Sequence, residues 1–247
     1  GSSEEGLVTR GDADPRQADP AAELFDTRKT VNQLQGGVAV DHALAAATAL
    51  RFTAYGGQRQ VGQYLAFSGA ALTSSGGVVE LDRDYGGVGL RLVRTSELGG
   101  RPLTLVVGVD TDAMRETRQG FVNDHGSQGA LRRDEDATVR GADAYAEVTW
   151  AALPALSATL GVRTSRVRYA SDDRFVTGAN PDDSGARTFH NTSPIAGVVW
   201  HAADTLNLYA SYGQGFETPT FAEMAYRPGG GGLNLAPDAA TSASYEI

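Results

Sequence analysis

Residues 144–163 read Ala144-Tyr145-Ala146-Glu147-Val148-Thr149-Trp150, then Ala151-Ala152-Leu153-Pro154, then, after Ala155, Leu156-Ser157-Ala158-Thr159-Leu160-Gly161-Val162-Arg163. On both sides of the turn, apolar residues occupy alternate positions. Ala144, Ala146, Val148 and Trp150 oppose Tyr145, Glu147 and Thr149, and Leu156, Ala158, Leu160 and Val162 oppose Ser157, Thr159 and Arg163. Period two places one set on each side of a pleated strand, so this stretch predicts an antiparallel hairpin with one apolar and one polar face.

Working outward, the same unit recurs. Short turns fall near residues 43–48, 96–101, 151–154 and 201–204, about fifty residues apart. Leu34, Val38 and Val40 lead into the first, and Leu50, Phe52 and Ala54 leave it. Val88, Leu90 and Leu92 precede the second, and Leu103, Leu105, Val107 and Val109 follow it. Ala196, Val198 and Trp200 precede the fourth, and Leu206, Leu208, Ala210 and Tyr212 follow it. Between these hairpins the Gly- and Asp-rich stretches near 56–78, 119–138, 172–187 and 216–243 read as longer loops. Short turns at one end of a sheet and long loops at the other are the habit of an outer-membrane β-barrel. The expected fold is therefore all-β, an antiparallel up-and-down transmembrane β-barrel, with about eight to nine strands of a larger barrel in this chain. Residues 1–24, polar and carrying Asp12, Asp14 and Asp19, read as a loop or tail, and 25–247 as partial barrel.

Bulk composition agrees with this and excludes other classes. Of 247 residues, 41% are hydrophobic, the longest apolar run (Ala43 to Leu50) is broken by Thr48, and mean hydropathy is −0.27. A spanning helix needs about 20 apolar residues, whereas a barrel strand needs only about 9–11, with alternate ones apolar. Cysteine is absent, which excludes a disulfide scaffold and a thiolate metal site. The net charge of −9 leaves no basic stripe for nucleic acid.

No catalytic constellation is present. The four histidines, His42, His125, His190 and His201, lack metal-ligand spacing. Asp82-Arg83-Asp84 opens like a calcium loop, but its twelfth position is Val93. Gly213-Gln214-Gly215 lacks the following helix of a dinucleotide fingerprint. No catalytic, cofactor or metal residue is assigned. Trp150 and Trp200 each end an apolar row just before a short turn, the place of an interfacial girdle; core tryptophans of a soluble sandwich would look alike.

The run Leu208-Tyr209-Ala210-Ser211-Tyr212-Gly213-Gln214-Gly215-Phe216-Glu217-Thr218-Pro219-Thr220-Phe221-Ala222-Glu223-Met224 closely resembles a segment of TonB-dependent outer-membrane receptors. Thr241-Ser242-Ala243-Ser244-Tyr245-Glu246-Ile247 resembles the opening of that family's next strand. Phe25-Asp26-Thr27-Arg28-Lys29-Thr30 and Asp82-Arg83-Asp84-Tyr85-Gly86-Gly87 look like receptors of the siderophore-uptake type. The resemblance implies a barrel of about twenty-two strands around an N-terminal plug. It also implies uptake of a ferric siderophore or similar scarce ligand, and coupling to the TonB complex through that plug. No plug and no TonB-box segment is visible in this chain, so it reads as an interior piece of the barrel.

Expected partners are outer-membrane lipid, the small ligand and the TonB complex. Expected localisation is the bacterial outer membrane. Leu156, Leu160, Val198, Leu206 and Leu208 should face lipid, and Glu147, Arg163 and Asn207 the lumen. Phe216, Phe221 and Tyr226 are candidate ligand contacts in an extracellular loop, with anchoring of the loop as the competing role. A passive porin or other outer-membrane barrel, or a soluble β-sandwich binding protein, are the alternative readings.

Overall fold

The computed structural model describes residues 2–5 (as backbone), 19–220, 223–224 and 234–247. Ten strands form one sheet in chain order, β1 (Ser2–Glu5), β2 (Arg28–Ala45), β3 (Thr48–Tyr64), β4 (Val78–Leu98), β5 (Arg101–Asp124), β6 (Ser127–Leu153), β7 (Leu156–Asp173), β8 (Gly185–Ala203), β9 (Leu206–Glu217) and β10 (Ala240–Glu246). Every neighbouring pair is antiparallel. A short helix, α1 (Pro20–Leu24), precedes β2; the Asp19 side chain accepts from the Ala21 amide and Pro20 opens the first turn. The polar segment 1–24 thus contains a strand paired with β2 and a helical turn.

The four short turns lie where the sequence places them, between β2 and β3, β4 and β5, β6 and β7, and β8 and β9. Three of these hairpins carry a register shift beside the turn, at Ala43/Ala45, Trp150/Leu153 and His201/Ala203. Two of the turns are tied to the strand beyond them: the Thr95 amide of β4 donates to Ala47 O at 2.9 Å and the His201 amide of β8 to Ala155 O at 2.8 Å.

At the opposite end the sequence reading needs correction. Residues 119–138 are not a long loop. β5 continues to Asp124 and β6 starts at Ser127, so His125 and Gly126, both at positive φ (51° and 87°), make a two-residue turn. Likewise β3 runs to Tyr64, which leaves a connection of only 65–77. The polar and Gly-rich composition misled because these strand ends extend past the apolar zone. β6 has 27 residues, roughly 90 Å of extended chain, against the ~9–11 residues that cross a bilayer.

Cross-strand partners share a face, so the register assigns each side chain. One face, here called outer, carries Val40, Phe52, Leu90, Val109 and Ala144 as one hydrogen-bonded row. Another row reads Arg94, Leu105, Val148, Leu160, Ala196, Tyr212 and Tyr245. Leu160 is 60% exposed there, and Val38, Val88, Val109, Val198, Leu206 and Leu208 are exposed as well. A third row, Val38, Ala54, Val88, Thr111, Ala142, Arg166 and His190, begins apolar and ends basic. The Arg94 row does the reverse. Strand tilt accounts for this drift, because rows taken across tilted strands run oblique to the apolar belt.

Candidate functional site

The other face, here called inner, carries the polar side of the alternation. One row reads Asp41, Arg51, Arg91, Gly108, Tyr145, Arg163 and Ser193. Arg51 lies 3.7 Å from Asp41, and Arg163 Nη2 lies 2.8 Å from Asp143 on the facing strand. Ser165 also donates to Asp143. Gly108 sits under the Tyr145 ring: a Cβ there would lie 2.4 Å from the ring's hydroxyl end, so only glycine lets that ring lie flat on the wall. Glu147 and Arg163 are on this face, and Asn207 pairs with His201. A cavity of about 560 Å³ lies on this wall, lined by Asp143, Tyr145, Glu147, Arg163, Gln214 and Phe216 among others. It borders the place where β9 leaves β8: their pairing stops at Ile195 and Gly213, and β9 continues with β10 alone.

Toward the end away from the short turns, connections fold back over the inner face. Segment 65–77 is held by backbone bonds, Leu65 N to Gly77 O, Gly77 N to Phe121 O and Asn123 N to Ser68 O, each 2.8 Å. The fully buried Asn123 amide donates to Phe25 O at 2.8 Å and Leu65 O at 3.0 Å, and its oxygen accepts from Gly126 N. One side chain therefore ties together the α1 exit, the β3–β4 connection and the β5–β6 turn. Nearby, Glu116, with 0% exposure, accepts from Arg83 and from Arg118. Arg133 and Glu135 make a second buried bidentate pair, with Nη2 to Oε2 at 2.7 Å. Buried guanidinium–carboxylate forks of this kind fix geometry, because each carboxylate oxygen has a directed donor.

The connection after β9 is anchored in the same sense. Tyr169, Phe189 and Met224 form a buried cluster with Phe216, Val167 and Leu235 packed on it. The Tyr169 and Phe189 rings meet edge to face, centroids 5.9 Å apart. Tyr169 Oη donates to Pro219 O at 2.9 Å and lies 3.0 Å from Thr218 Oγ1. Arg187 donates to Leu235 O and pairs with Asp238. Thr220 and Glu223 make a reciprocal capping box: Glu223 Oε2 accepts from the Thr220 amide at 2.7 Å, and the Glu223 amide donates to Thr220 Oγ1 at 3.2 Å. The Thr218-Pro219-Thr220 motif is thus a corner that turns the chain back onto the wall. The Thr220 amide donating to Glu223 holds that carboxyl below the ordinary glutamate range.

Of the aromatic ligand candidates, Phe216 is half-buried on the Tyr169–Phe189–Met224 cluster, the surroundings of an anchor. Phe221 and Tyr226 lie outside the described residues. Trp150 donates its indole N–H to Leu98 O at 3.2 Å beside the short turns, and Trp200 is exposed on the outer face opposite Leu156 and Leu208. Asp82-Arg83-Asp84 lies within β4 rather than in a loop. Among the described residues no helix is long and apolar enough to cross a membrane, and no group of three or more His, Cys, Asp or Glu could hold a metal.

Residues 3–247 match the family described as TonB dependent receptor-like, β-barrel. The chain belongs to this family. Solved receptors share its fold. The siderophore receptor PiuA from Acinetobacter baumannii superposes with a TM-score of 0.69 at 14% identity, over 89% of this chain and 37% of that one. The ferric citrate transporter FecA, unliganded, gives 0.65 at 14%, over 89% and 32%. The alcaligin outer-membrane receptor FauA from Bordetella pertussis gives 0.64 at 17%, over 89% and 33%. The chain thus spans about a third of the length of these receptors. For this TonB-dependent receptor barrel, the sheet described above is a contiguous part of the wall, apolar on its outer face and polar on its inner face near the short turns. What the sequence reading missed is the inner ion network and the corner. Their signal is a change of parity: in β7 the apolar residues sit at even positions up to Val162, then at odd positions, Val167 and Tyr169.

Proposed function

We propose that this chain is a section of an outer-membrane receptor that captures a ferric siderophore or similar scarce chelate and admits it by TonB-coupled movement of a plug. The observation that carries this is the two-sided wall. Its outer apolar belt crosses all eight long strands, its inner face is polar, and connections fold inward at one end only. Lipid contact accounts for the exposed belt, and a wet, plugged lumen for the inner charges. Trp150 and Trp200 belong to the girdle at the short-turn rim, where an indole meets both lipid and water. The siderophore and ferric citrate receptors that share the fold support an iron chelate as the ligand class.

The test is cell fractionation of the complete receptor, with uptake of radiolabelled iron bound to siderophores by wild-type, gene-deleted and TonB-deleted cells under iron limitation. Outer-membrane recovery with uptake lost in both deletions is expected. Unchanged uptake of every iron chelate by the gene-deleted cells, with normal membrane recovery of the wild-type protein, overturns the ligand class. Recovery in a soluble fraction overturns the membrane placement. Deletion of 228–233 then addresses the capture surface. Normal assembly with lost affinity makes the loop with Phe221 and Tyr226 part of that surface; unchanged affinity leaves it a connector.

A further inference from the structure

Just beyond the apolar belt, on the outer face of β6–β8, lies a basic patch. Arg140 and Arg168 are direct cross-strand partners, and Arg166, two residues along β7, is opposite His190. All four are exposed. No ion pair links Arg140, Arg166 or Arg168 to any acid among the described residues. The nearest acids on this face of β6 and β7 are Asp136 and its cross-strand partner Asp172, each four residues beyond the patch; Asp136 already holds Arg115, Arg174 and the Thr117 hydroxyl, and Asp172 makes no ion pair with the three arginines.

Two arginines directly opposite each other have Cβ atoms about 5 Å apart, and like charges in that position destabilise a strand pair. Arg166 adds a third charge roughly 7 Å along the same strand. Three guanidiniums crowded without a carboxylate suit an anion with several oxygen acceptors, and phosphate matches their fork geometry. The patch directly adjoins apolar residues of the same strands and face, Ala144, Ala146, Leu160 and Val162. A ligand that covers both needs a phosphorylated head and apolar chains.

We propose, resting on the outer-membrane placement above, that Arg140, Arg166 and Arg168 form a docking site for the phosphate groups of a phosphorylated glycolipid in the outer leaflet. The long-loop end of the sheet then marks the external lipid surface, and the site holds the barrel at a fixed depth.

The experiment uses the complete receptor in detergent micelles. Native mass spectrometry reads its retention of lipid A, a glucosamine lipid bearing two phosphates, against the same lipid stripped of phosphate and with inorganic phosphate as competitor. Heat-modifiable migration checks barrel folding separately, and cell fractionation checks the membrane placement independently of lipid retention. R140Q/R166Q/R168Q is expected to weaken lipid A retention about a hundredfold for three charges lost near a lipid surface. Removing the phosphates should act like the triple substitution. Replacement of the three arginines by lysine should preserve most retention, and R94Q, a basic outer-face residue near the short turns, should change nothing. Equal retention by the glutamine triple variant overturns the proposal. So does inorganic phosphate that binds as tightly as lipid A, which would make this a soluble-anion site. Should the triple variant fail to fold, R166Q decides: a loss of about fivefold supports the site, and no loss overturns it.

Discussion

The two ends of the same strands obey opposite rules. Near the short turns, β7 turns Leu160 outward, 60% exposed, and Arg163 inward. Ten residues or fewer further on, Tyr169 points inward and is 5% exposed, while Arg166 and Arg168 point outward. The same inversion occurs in β4, where Leu90 and Leu92 are outer but Leu81 is inner, and in β8, where Val198 and Trp200 are outer but Phe189 is inner. The membrane placement proposed above accounts for it. Where the outside is lipid, apolar side chains lower their free energy by pointing out, and polar ones need the lumen. Where the outside is water, the ordinary soluble rule returns and the inner face becomes a core under the folded-back connections. On that placement, one continuous sheet satisfies two solvents by shifting its apolar parity by one residue.

Substitutions that ignore the boundary should cost most. In the water-exposed half, Glu116→Gln leaves Arg83 and Arg118 without their shared charged acceptor. Removing one partner of a buried ion pair costs about 3–5 kcal/mol, with the low end expected here because the Arg83 side chain is 28% exposed. Equilibrium unfolding of the complete barrel in urea and lipid vesicles measures it, and a loss below about 1 kcal/mol would show that the network is not integral to folding.

In the half near the short turns, Leu160→Arg should cost about 2–4 kcal/mol if residue 160 lies near the midplane of the proposed membrane span, whereas Thr159→Arg, one residue away on the inner face, should cost much less. These two neighbours in sequence differ only in the face of the sheet they occupy. Equal costs in the same assay would contradict the face assignment.

A smaller effect tests the corner. Tyr169→Phe deletes the hydroxyl that donates to Pro219 O and approaches Thr218, and should cost about 1 kcal/mol while leaving the ring packing on Phe189 intact. Its more telling consequence is local: proteolysis between 218 and 239 should become faster with no change elsewhere in the barrel. Global unfolding without local loosening would place Tyr169 in the wall rather than in the anchoring of the connection.

These contrasts also explain what the sequence discloses. Strands near the short turns are legible because their alternation is strict, as at Leu156 to Val162, and because the turns are compact. The distal strand ends are not, because water on one side and packed connections on the other permit Arg, Glu and Gly at most positions. That is why 119–138 reads as a loop although Arg118 with Glu135 and Gly120 with Arg133 are paired strand residues. The corner is half legible. Thr220-x-x-Glu223 has the spacing of a capping box, but nothing in the sequence says that Tyr169, some fifty residues earlier, receives it. The Asn123 tie is illegible, since its partners Phe25 and Leu65 offer only backbone carbonyls.

The smallest expected effect is one of pH, and it too separates the two regions. Glu223 is fully exposed, and its carboxylate is held below the ordinary glutamate range first by the Thr220 amide and then by the Thr220 hydroxyl. A carboxyl whose folded value is lowered contributes stability above its unfolded value and loses it as pH falls through the folded one. The capping box should therefore be intact at neutral pH and open only below the ordinary glutamate range. The belt residues, which carry no titrating group, should not respond. In micelles, the Thr220 amide resonance of the complete receptor should move with an apparent midpoint below that of a free glutamate, while the amides of Leu160 and Val162 stay still. Glu223→Gln should flatten the Thr220 curve without altering the belt. A Thr220 midpoint at or above the free value would mean that the reciprocal bonds do not favour the ionised form, and the corner would then rest on Tyr169 and Arg187 alone.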